Sequence, residues 1–501
     1  MKTLKLILLV VVVLIFIVAF LAAQDVLTEI NGNDPANARR SLAQQPAADP
    51  LIGTWQGTLQ TKVGQLEVYF AIEGKEGGGY WARLSMPAQN VRNMPLQEVR
   101  RTDADVILDM SSYGISFAGK LAADGNTITG NFKVGGDSLQ LVLRRTVGLP
   151  EFRRPQDPVK PYPYEETEVR FLNSQAKIHL SGTLTMPSGP GPFPAVILIS
   201  GSGPQDRDAS LAGHLPFLVL ADSLTRRGLA VLRCDDRGVG KSEGDFHRAT
   251  TLDFAADAQA AWQFLRTQPR IDGRRIGMLG HSEGGIIAPL AAAQNPDIAF
   301  LVLLAGPGIR GDRLLLMQIE VSSKRRGAGP EAIRKEQRMD ERLLQVIAER
   351  ATWEAAEPEM KRVIAESLAA MSEAELKELS LTEASVLADW KEQTVDYDWA
   401  RIIIPLDPAT ILRQVHCPVL ALNGDKDTQV QADVNLPAIE QALREDKNGR
   451  FEIKKLPGLN HLFQTARTGE PREYRQIEET ISPTVLKLVG DWILRQFETG
   501  S

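Results

Sequence analysis

The chain has few cysteines and histidines, the residues that most often bind zinc or form disulfides. Its 501 residues include two cysteines, Cys234 and Cys417, and six histidines. Both cysteines lie in segments that we predict to be buried strands or their first residues. Small core side chains are therefore favoured over a disulfide, and two cysteines are too few for a structural zinc site. No motif in the chain implies a metal ion or an organic cofactor.

Positive charge is not in excess either. The formal net charge is −6 and no long basic run is present, so the sequence gives no support to nucleic-acid binding. The apolar content of 43% and charged content of 24% are ordinary for a globular protein. The length is sufficient for two or three domains, and composition leaves the oligomeric state open.

One long apolar run is present, and it lies at the N-terminus. Two lysines precede an uninterrupted apolar stretch over residues 6–21, and two alanines follow it. This pattern predicts that residues 1–23 are a signal peptide or an N-terminal membrane anchor. The run is slightly long for the first and slightly short for a spanning helix, so both remain open. We expect an exported, periplasmic or extracellular protein, with residues 24–50 as a flexible linker.

Residues 51–146 alternate between apolar and polar side chains in short stretches such as "TWQGTLQT", "QLEVYFAIEG" and "NTITGNFKV". This period of two, with turn residues between the stretches, predicts a small all-β domain, either a barrel or a sandwich. The domain contains neither histidine nor cysteine. It could bind or position a ligand, or cover part of a catalytic unit. A proline-rich connector over residues 147–167 marks its end.

Residues 168–306 and 406–501 alternate between continuous apolar runs and amphipathic stretches. Runs such as "FPAVILISG", "RIGMLGHS" and "CPVLALNGD" are typical of strands buried on both faces of a parallel sheet. The alternation predicts an α/β domain with helices on both faces of the sheet. Residues 307–405 are rich in Glu, Arg, Lys, Ala and Leu and are too long for an ordinary connection. We predict a helical cap over the site, with a peripheral helical bundle as the alternative.

The stretch "RIGMLGHSEGGIIAPL" contains a serine between glycines at the predicted junction of a strand and a helix. Gly280, Ser282 and Gly284 fit the pattern G-x-S-x-G, in which a tight turn forces the serine into a strained conformation. Side chains at the two glycine positions would then collide with the backbone. We predict that Ser282 is a nucleophile at the edge of the sheet, close to a helix N-terminus.

A serine hydroxyl needs a base, and the base needs an acid that orients it. Among the six histidines, His461 in "LPGLNHLF" follows a late predicted strand, where the last loop would bring a base to the edge of the sheet. The acid should follow the preceding strand, and "LNGDKDTQV" offers both Asp425 and Asp427. The order serine, aspartate, histidine is the one expected for this architecture.

An oxyanion formed during acyl attack needs backbone donors. We predict one at the N–H of Glu283 and the other in "SGSGPQDRD", at Ser202 or, as second choice, Gly203. The charged residues 206–208 of this loop could line a cleft, although ion pairs that anchor the loop are favoured. "CDDRGVGKSEGDF" has Gly-Lys-Ser but lacks the P-loop spacing. Its residues 235–237 are predicted to brace the loop beneath the nucleophile.

Taken together, "ISGSGPQDRD", "LRCDDRGVGKSEGDF", "GHSEGG", "LNGDKDTQV" and "LPGLNHLF" resemble the α/β-hydrolase superfamily, and in particular bacterial exported serine esterases with an N-terminal β-rich domain. The resemblance implies a mostly parallel sheet flanked by helices, a helical cap and a preceding all-β domain. It selects Asp427 as the acid, with Ser282 and His461, and turn formation as the role of Asp425. The family often has histidine where this chain has Ser200.

The function implied by the resemblance is hydrolysis of carboxylic esters of small to medium acyl groups through a covalent acyl-enzyme. The superfamily also contains serine peptidases, so a serine aminopeptidase or dipeptidyl peptidase is the enzymatic alternative. A non-catalytic exported binding protein on the same scaffold is the alternative from another class.

Overall fold

The computed structural model describes most of the chain after residue 48. The described residues are 49–61, 64–74, 79–86, 91–96, 98–110, 115–134, 137–147, 154–394, 396–445 and 448–498. The predicted signal peptide or anchor and nearly all of the predicted linker lie outside these ranges. Within them, no helix combines the length and apolar character needed to cross a membrane.

The chain divides into two compact units. The first comprises Met1–Asp157, Ser210–Leu215 and Pro471–Glu478, and the second comprises Pro158–Ala209, Pro216–Glu470 and Glu479–Ser501. The sequence prediction assigned the two short segments of the first unit to the catalytic domain. Both segments connect helices and strands of the second unit. They are too short to show a periodic pattern, so the sequence could not indicate that they group with the first unit.

The first unit is built on one antiparallel sheet. Its strands in the described residues are β1 (Gly53–Thr61), β2 (Gly64–Gly74), β3 (Tyr80–Met86), β4 (Val91–Pro95), β5 (Glu98–Thr102), β6 (Asp105–Met110), β7 (Ile115–Leu121), β8 (Thr127–Val134) and β9 (Asp137–Thr146). Their order is β4-β3-β2-β1-β9-β8-β7-β6-β5. The β-rich N-terminal region is therefore confirmed, while β4 and β5 were not predicted as strands.

This sheet curls around a single core. Phe70 on β2 and Phe117 on β7 have ring centroids 6.4 Å apart, although three strands lie between them in the sheet. A flat sheet would separate them by about 19 Å at about 4.8 Å per strand. Both rings share a core with Trp55 and Leu143. The sheet therefore curves in the manner of a barrel, although no hydrogen-bonded pair joins β4 to β5 among the residues described.

The second unit contains a mostly parallel sheet. Its strands are β10 (Glu165–Asn173), β11 (Ile178–Met186), β12 (Phe193–Ile199), β13 (Ala230–Cys234), β14 (Ile271–His281), β15 (Leu301–Leu304), β16 (Val419–Gly424) and β17 (Phe451–Leu456). The order is β10-β11-β13-β12-β14-β15-β16-β17, and the strands from β13 onward in this order are parallel. The sheet begins at Glu165, three residues before the predicted start of the domain.

Helices cover both faces of this sheet. They are α1 (Pro216–Thr225), α2 (Thr251–Arg266), α3 (Gly284–Gln294), α11 (Ala432–Glu445) and α12 (Pro483–Glu498). Successive side chains of β12 point to opposite faces: Ile197 shares a core with α2, α3 and α11, whereas Val196 shares one with α1 and α12. Burial on both faces explains why the strands are continuous apolar runs.

The chain between β15 and β16 is helical. The helices are α4 (Gly311–Arg325), α5 (Pro330–Glu349), α6 (Trp353–Ala369), α7 (Glu373–Leu379), α8 (Glu383–Gln393), α9 (Tyr397–Ile403) and α10 (Pro408–Leu412). They share a hydrophobic core that includes Ile286 of α3. Two backbone hydrogen bonds close the base of this insertion, from Gly311 N to Leu406 O (3.0 Å) and from Asp312 N to Ile404 O (2.8 Å).

The carboxyl ends of the parallel strands bring distant segments together. Ser202 follows β12, Ser282 follows β14, Asp427 follows β16 and His461 follows β17. Because these strands are parallel, their carboxyl ends meet at one edge of the sheet. The predicted site residues therefore lie in loops along that edge.

Candidate active site

Ser282 lies in the turn between β14 and α3. Its φ is +55°, a left-handed conformation that is costly for a residue with a Cβ. The turn is held by hydrogen bonds from Ser282 N to Leu304 O (2.9 Å) and from Gly285 N to Ser282 O (2.8 Å). Strain held in place by the sheet and the helix is typical of a residue that must present its side chain at a fixed position.

The glycines of this turn are required by close backbone contacts. A Cβ at Gly280 would overlap the carbonyl group of Gly284, and a Cβ at Gly284 would overlap that of Ile199 on β12. A third glycine, Gly201, faces the serine, since a Cβ there would lie 3.0 Å from Ser282 Cβ. The loop after β12 can approach the serine only because Gly201 has no side chain.

His461 and Asp427 are joined directly. His461 Nδ1 lies 2.7 Å from Asp427 Oδ2, and both side chains are buried. The other oxygen, Asp427 Oδ1, accepts backbone N–H bonds from Gln429 (2.8 Å) and Val430 (2.9 Å). Since the carboxylate engages Nδ1, the imidazole has Nε2 available to take a proton from another group. Asp425 instead accepts from Gly458 N (2.7 Å) and stabilises a turn.

Two neighbours that the sequence did not single out fix the His461 loop. The buried side chain of Asn460 accepts from the N–H groups of Leu462 (3.0 Å) and Gln464 (2.9 Å). His281 Nε2 lies 2.9 Å from the carbonyl oxygen of His461, and the two imidazole rings are 4.8 Å apart. Burial, followed by the neighbouring His461, lowers the pKa of His281 to about 3. His281 therefore stays neutral and donates to the backbone of His461.

Ser282 and His461 are neighbours without a direct hydrogen bond. None joins Ser282 Oγ to the imidazole in the described part of the chain. His461 nonetheless contacts His281, the residue that precedes the serine. Hydrogen bonds between a nucleophile and its base are often long in the absence of substrate and shorten in the complex. His461 therefore stays the predicted base for Ser282.

The loop after β12 is fixed by a buried carboxylate. Asp236 accepts from Ser200 Oγ (2.9 Å) through one oxygen and from Gln205 N (2.9 Å) through the other. Burial raises the pKa of Asp236 well above its usual value. Ser200, which stands where the resembled family often has histidine, thus anchors the loop. The bracing predicted for this region is present. Arg237 also forms ion pairs with Asp253 and Asp257, which both lie in α2.

The charged residues 206–208 form ion pairs. Arg207 binds Asp235 through Nε (2.9 Å) and Nη2 (2.5 Å), and Arg233 pairs with Asp208. These contacts agree with the anchoring role favoured from the sequence.

The predicted oxyanion donors are without a protein acceptor. Among the described residues, the N–H groups of Glu283, Ser202 and Gly203 donate no hydrogen bond. Glu283 precedes α3, and Ser202 precedes Gly203, whose φ of +85° turns the loop. Unengaged N–H groups beside a nucleophile can bind an oxygen that develops negative charge.

The side chain of Glu283 connects three segments. Its Oε1 accepts from Thr251 Oγ1 (2.7 Å) at the start of α2 and from Trp399 Nε1 (2.8 Å) on α9. The hydroxyl of Ser202 lies close enough to the carboxylate to lower its pKa. Burial raises the pKa of Glu283 and outweighs these hydrogen bonds. The sequence analysis considered only the backbone of this residue.

A small cavity adjoins this network. It measures about 60 Å³, and Ser202 and Gly203 form one side. The remaining lining side chains come from the loop before α2, from α2 itself and from the helical insertion: Phe246, Ala249, Phe254, Gln393, Asp396 and Trp399. Asp396 also lies 2.6 Å from His247 Nδ1, which raises the pKa of that histidine. The cavity thus combines aromatic side chains with polar groups, among them one carboxylate.

Comparisons with known proteins point to hydrolases. A family model described as serine aminopeptidase, S33, matches residues 216–344. Esterase EstD of Thermotoga maritima is 25% identical over 366 residues, which cover 72% of this chain and 74% of that protein. An uncharacterized protein of Mycobacterium tuberculosis is 32% identical over 131 residues, covering 26% of this chain and 43% of its own. The solved structure of the Pyrococcus furiosus esterase Pf2001 aligns with a TM-score of 0.41 and 16% identity, covering 70% of this chain and all of that one.

Proposed function

Since the chain belongs to the α/β-hydrolase superfamily as a hydrolase of the carboxylesterase type, we propose that it cleaves carboxylic esters of small to medium acyl groups through Ser282, His461 and Asp427. The observation that carries the proposal is the 2.7 Å contact between His461 Nδ1 and Asp427 Oδ2, beside a serine held at a φ of +55°. Three distant segments supply a nucleophile, a base and an acid at one edge of the sheet.

The proposed reaction proceeds in two steps. Ser282 Oγ attacks the ester carbonyl while its proton passes to His461 Nε2, and Asp427 stabilises the resulting imidazolium through Nδ1–H. The N–H groups of Glu283 and Ser202 bind the oxyanion. Collapse releases the alcohol, which takes the proton from His461, and leaves an acyl-serine. A water molecule then attacks the acyl-serine with the same base, releasing the carboxylic acid and free Ser282.

The helical insertion serves as a cap in this proposal. Trp399 on α9 reaches Glu283 beside the nucleophile, and the insertion supplies three of the residues that line the cavity. A cavity of about 60 Å³ is small beside typical ligand pockets of about 300–1,000 Å³. Its size and its aromatic lining support acyl groups at the small end of the range.

A fluorophosphonate probe tests the proposal directly. We expect the probe to label Ser282, and Ser282→Ala to lose both labelling and turnover of p-nitrophenyl acetate. Ser322→Ala, which removes an exposed hydroxyl on α4, is the matched control and should behave as the wild type. Turnover that persists in Ser282→Ala would overturn the assignment. A wild-type chain with neither labelling nor turnover would favour a non-catalytic binding protein on this scaffold.

A serine aminopeptidase is the second candidate function. The matched family model carries that description, and the Asp396 carboxylate at the cavity could bind a substrate ammonium group. The Glu283 carboxylate is less suitable, because Thr251 and Trp399 already donate hydrogen bonds to it. Rates on p-nitrophenyl esters and on aminoacyl p-nitroanilides distinguish the candidates. Turnover of anilides alone, abolished by Asp396→Asn, would replace the esterase proposal.

Export of the protein also belongs to the proposal. The apolar run and flanking lysines of residues 1–23 support transfer across a membrane, with the segment either cleaved or kept as an anchor. Expression of the full chain in bacteria, followed by fractionation and N-terminal sequencing, tests this. Activity confined to the cytoplasm, with an intact N-terminus, would contradict it.

A further inference from the structure

The Glu283 carboxylate lies in an unusual place for a charged group. The residue is buried, and its side chain accepts hydrogen bonds from α2 and α9. A carboxylate in the interior loses hydration, and an apolar side chain of similar volume is often as good for stability. The raised pKa of Glu283 reflects this desolvation. Stability alone therefore does not account for a hydrogen-bonded carboxylate at this position.

The partners of this carboxylate suggest what it positions. Two of the predicted oxyanion donors are the N–H groups of Glu283 and Ser202, and the Ser202 hydroxyl lies close enough to the Glu283 carboxylate to lower its pKa. One contact between side chains thus joins the turn after β14 to the loop after β12. Oxyanion stabilisation requires donors at fixed positions about 2.7–3.1 Å from the developing charge. A shift of either loop would remove one donor from reach.

The third partner adds the helical insertion. Trp399 Nε1 donates to the same oxygen, Oε1, that accepts from Thr251 Oγ1. Thr251 lies in α2 and is fully buried, so its contribution is fixed with the body of the unit. Trp399 lies on α9, which belongs to the insertion and is held to the rest of the unit by the ends of the insertion, by the packing around Ile286 and by the contact of Asp396 with His247. All hydrogen bonds of the Glu283 carboxylate are therefore present only when α9 is packed against the site.

We infer that the Glu283 side chain is a positioning residue that holds the N–H groups of Glu283 and Ser202 at fixed positions. Through its hydrogen bond to Glu283, Trp399 makes these positions depend on how the helical insertion packs against the site. The inference rests on the proposed function, because it assigns a role within the same site. The carboxylate itself touches no reacting atom. It acts through the backbone of its own residue and of Ser202.

Trp399→Phe is the central test, because it keeps an aromatic ring and removes the indole N–H. We expect kcat on p-nitrophenyl acetate to fall about tenfold with KM changed less than twofold, since oxyanion donors act mainly on the transition state. The Ki of a trifluoromethyl ketone, whose hemiketal oxygen occupies the same position, should rise about tenfold. Ser202→Ala should shift both values in the same direction, because its backbone N–H remains but loses its tether.

Trp390→Phe is the matched control. Trp390 is buried in α8 of the same insertion and has no contact with Glu283. It should leave kcat and Ki unchanged even if the melting temperature falls. Glu283→Gln keeps a carbonyl oxygen for Trp399 and Thr251 and should retain more activity than Glu283→Ala. If Glu283→Ala fails to fold, Trp399→Phe and Ser202→Ala still decide the question.

The outcomes separate this inference from the proposed function. Wild-type kcat and Ki in Trp399→Phe, or an equal loss in Trp390→Phe, would show that the contact serves only the stability of the insertion and would overturn the inference. Absence of ester turnover in the wild type, or its persistence in Ser282→Ala, would instead refute the proposed function.

Discussion

Replacing Asp427 by asparagine tests the catalytic geometry most sharply. The two carboxylate oxygens have different partners: Oδ1 accepts from Gln429 N and Val430 N, and Oδ2 contacts His461 Nδ1. An asparagine would keep its carbonyl oxygen on the two backbone N–H groups, because an amide nitrogen cannot accept from them. Its NH₂ would then face Nδ1 and would donate to it. The imidazole would then carry its proton on Nε2. A base must have Nε2 unprotonated in order to accept the proton of Ser282.

The expected cost is large in activity and small in stability. Holding the base in the wrong tautomer lowers kcat by about 10⁴-fold in a serine triad, or about 5 kcal/mol of transition-state stabilisation. The two backbone hydrogen bonds of the Asp427 loop survive, so the melting temperature should change by only a few degrees. Initial rates with p-nitrophenyl acetate at saturating substrate give kcat, and differential scanning calorimetry gives the melting temperature.

Asp425→Asn is the matched control, two residues away on the same loop. Asp425 is exposed and accepts only from Gly458 N in the described residues, a bond that an asparagine oxygen can also accept. Its kcat should stay within about twofold of the wild type. A near-normal kcat in Asp427→Asn, or the large loss in Asp425→Asn instead, would refute the assignment of the acid.

Three further predictions concern stability. Gly280→Ala should lower the free energy of unfolding by more than about 3 kcal/mol, because its Cβ would overlap the backbone of Gly284. Gly273→Ala is the control: its Cβ would have its nearest contact 3.7 Å away, so thermal denaturation should show little loss of stability. His281 has a folded-state pKa of about 3, so its stabilising effect is present above pH 6.5 and lost as pH falls toward 3; urea unfolding should show a smaller loss in His281→Gln over that window. Burial and the nearby Glu336 raise the pKa of Asp340 to about 8, so wild-type stability relative to Asp340→Asn should fall as pH rises from about 4 to 8, and an unchanged difference would contradict the burial argument.

The sequence predicted those parts of the fold that leave a local signal. Strands β12, β14 and β16 are continuous apolar runs, and each was located within a few residues. The β10–β11 hairpin was missed for two reasons. The first strand, "EETEVRFLN", begins directly after a proline-rich stretch and forms the edge of the sheet, and the second, "IHLSGTLTM", has mixed polarity. Strands β4 and β5 are five residues each, too short for a clear alternation.

The predicted site shows the same division. Ser282, Asp427 and His461 were predicted as site residues because each follows a recognisable strand, and the structure has all three in loops at one edge of the sheet. The contact of Glu283 with Trp399 spans 116 residues, and that of His281 with the backbone of His461 spans 180. No periodicity or local motif encodes a pairing over such separations. Only the folded arrangement of the strands brings these groups together.

The two hydrogen bonds at the base of the insertion have a consequence for how such an enzyme can diversify. Because Gly311 and Asp312 bind Leu406 and Ile404, the chain returns to the point where it left the sheet. The entropic cost of closing a loop grows only slowly with its length. The stability of the pairing between β15 and β16 therefore depends little on whether about ten or about ninety residues connect them. In the proposed role of the insertion as a cap, exchange of the whole segment would change substrate selectivity and leave the loops that carry Ser282, Asp427 and His461 unaltered.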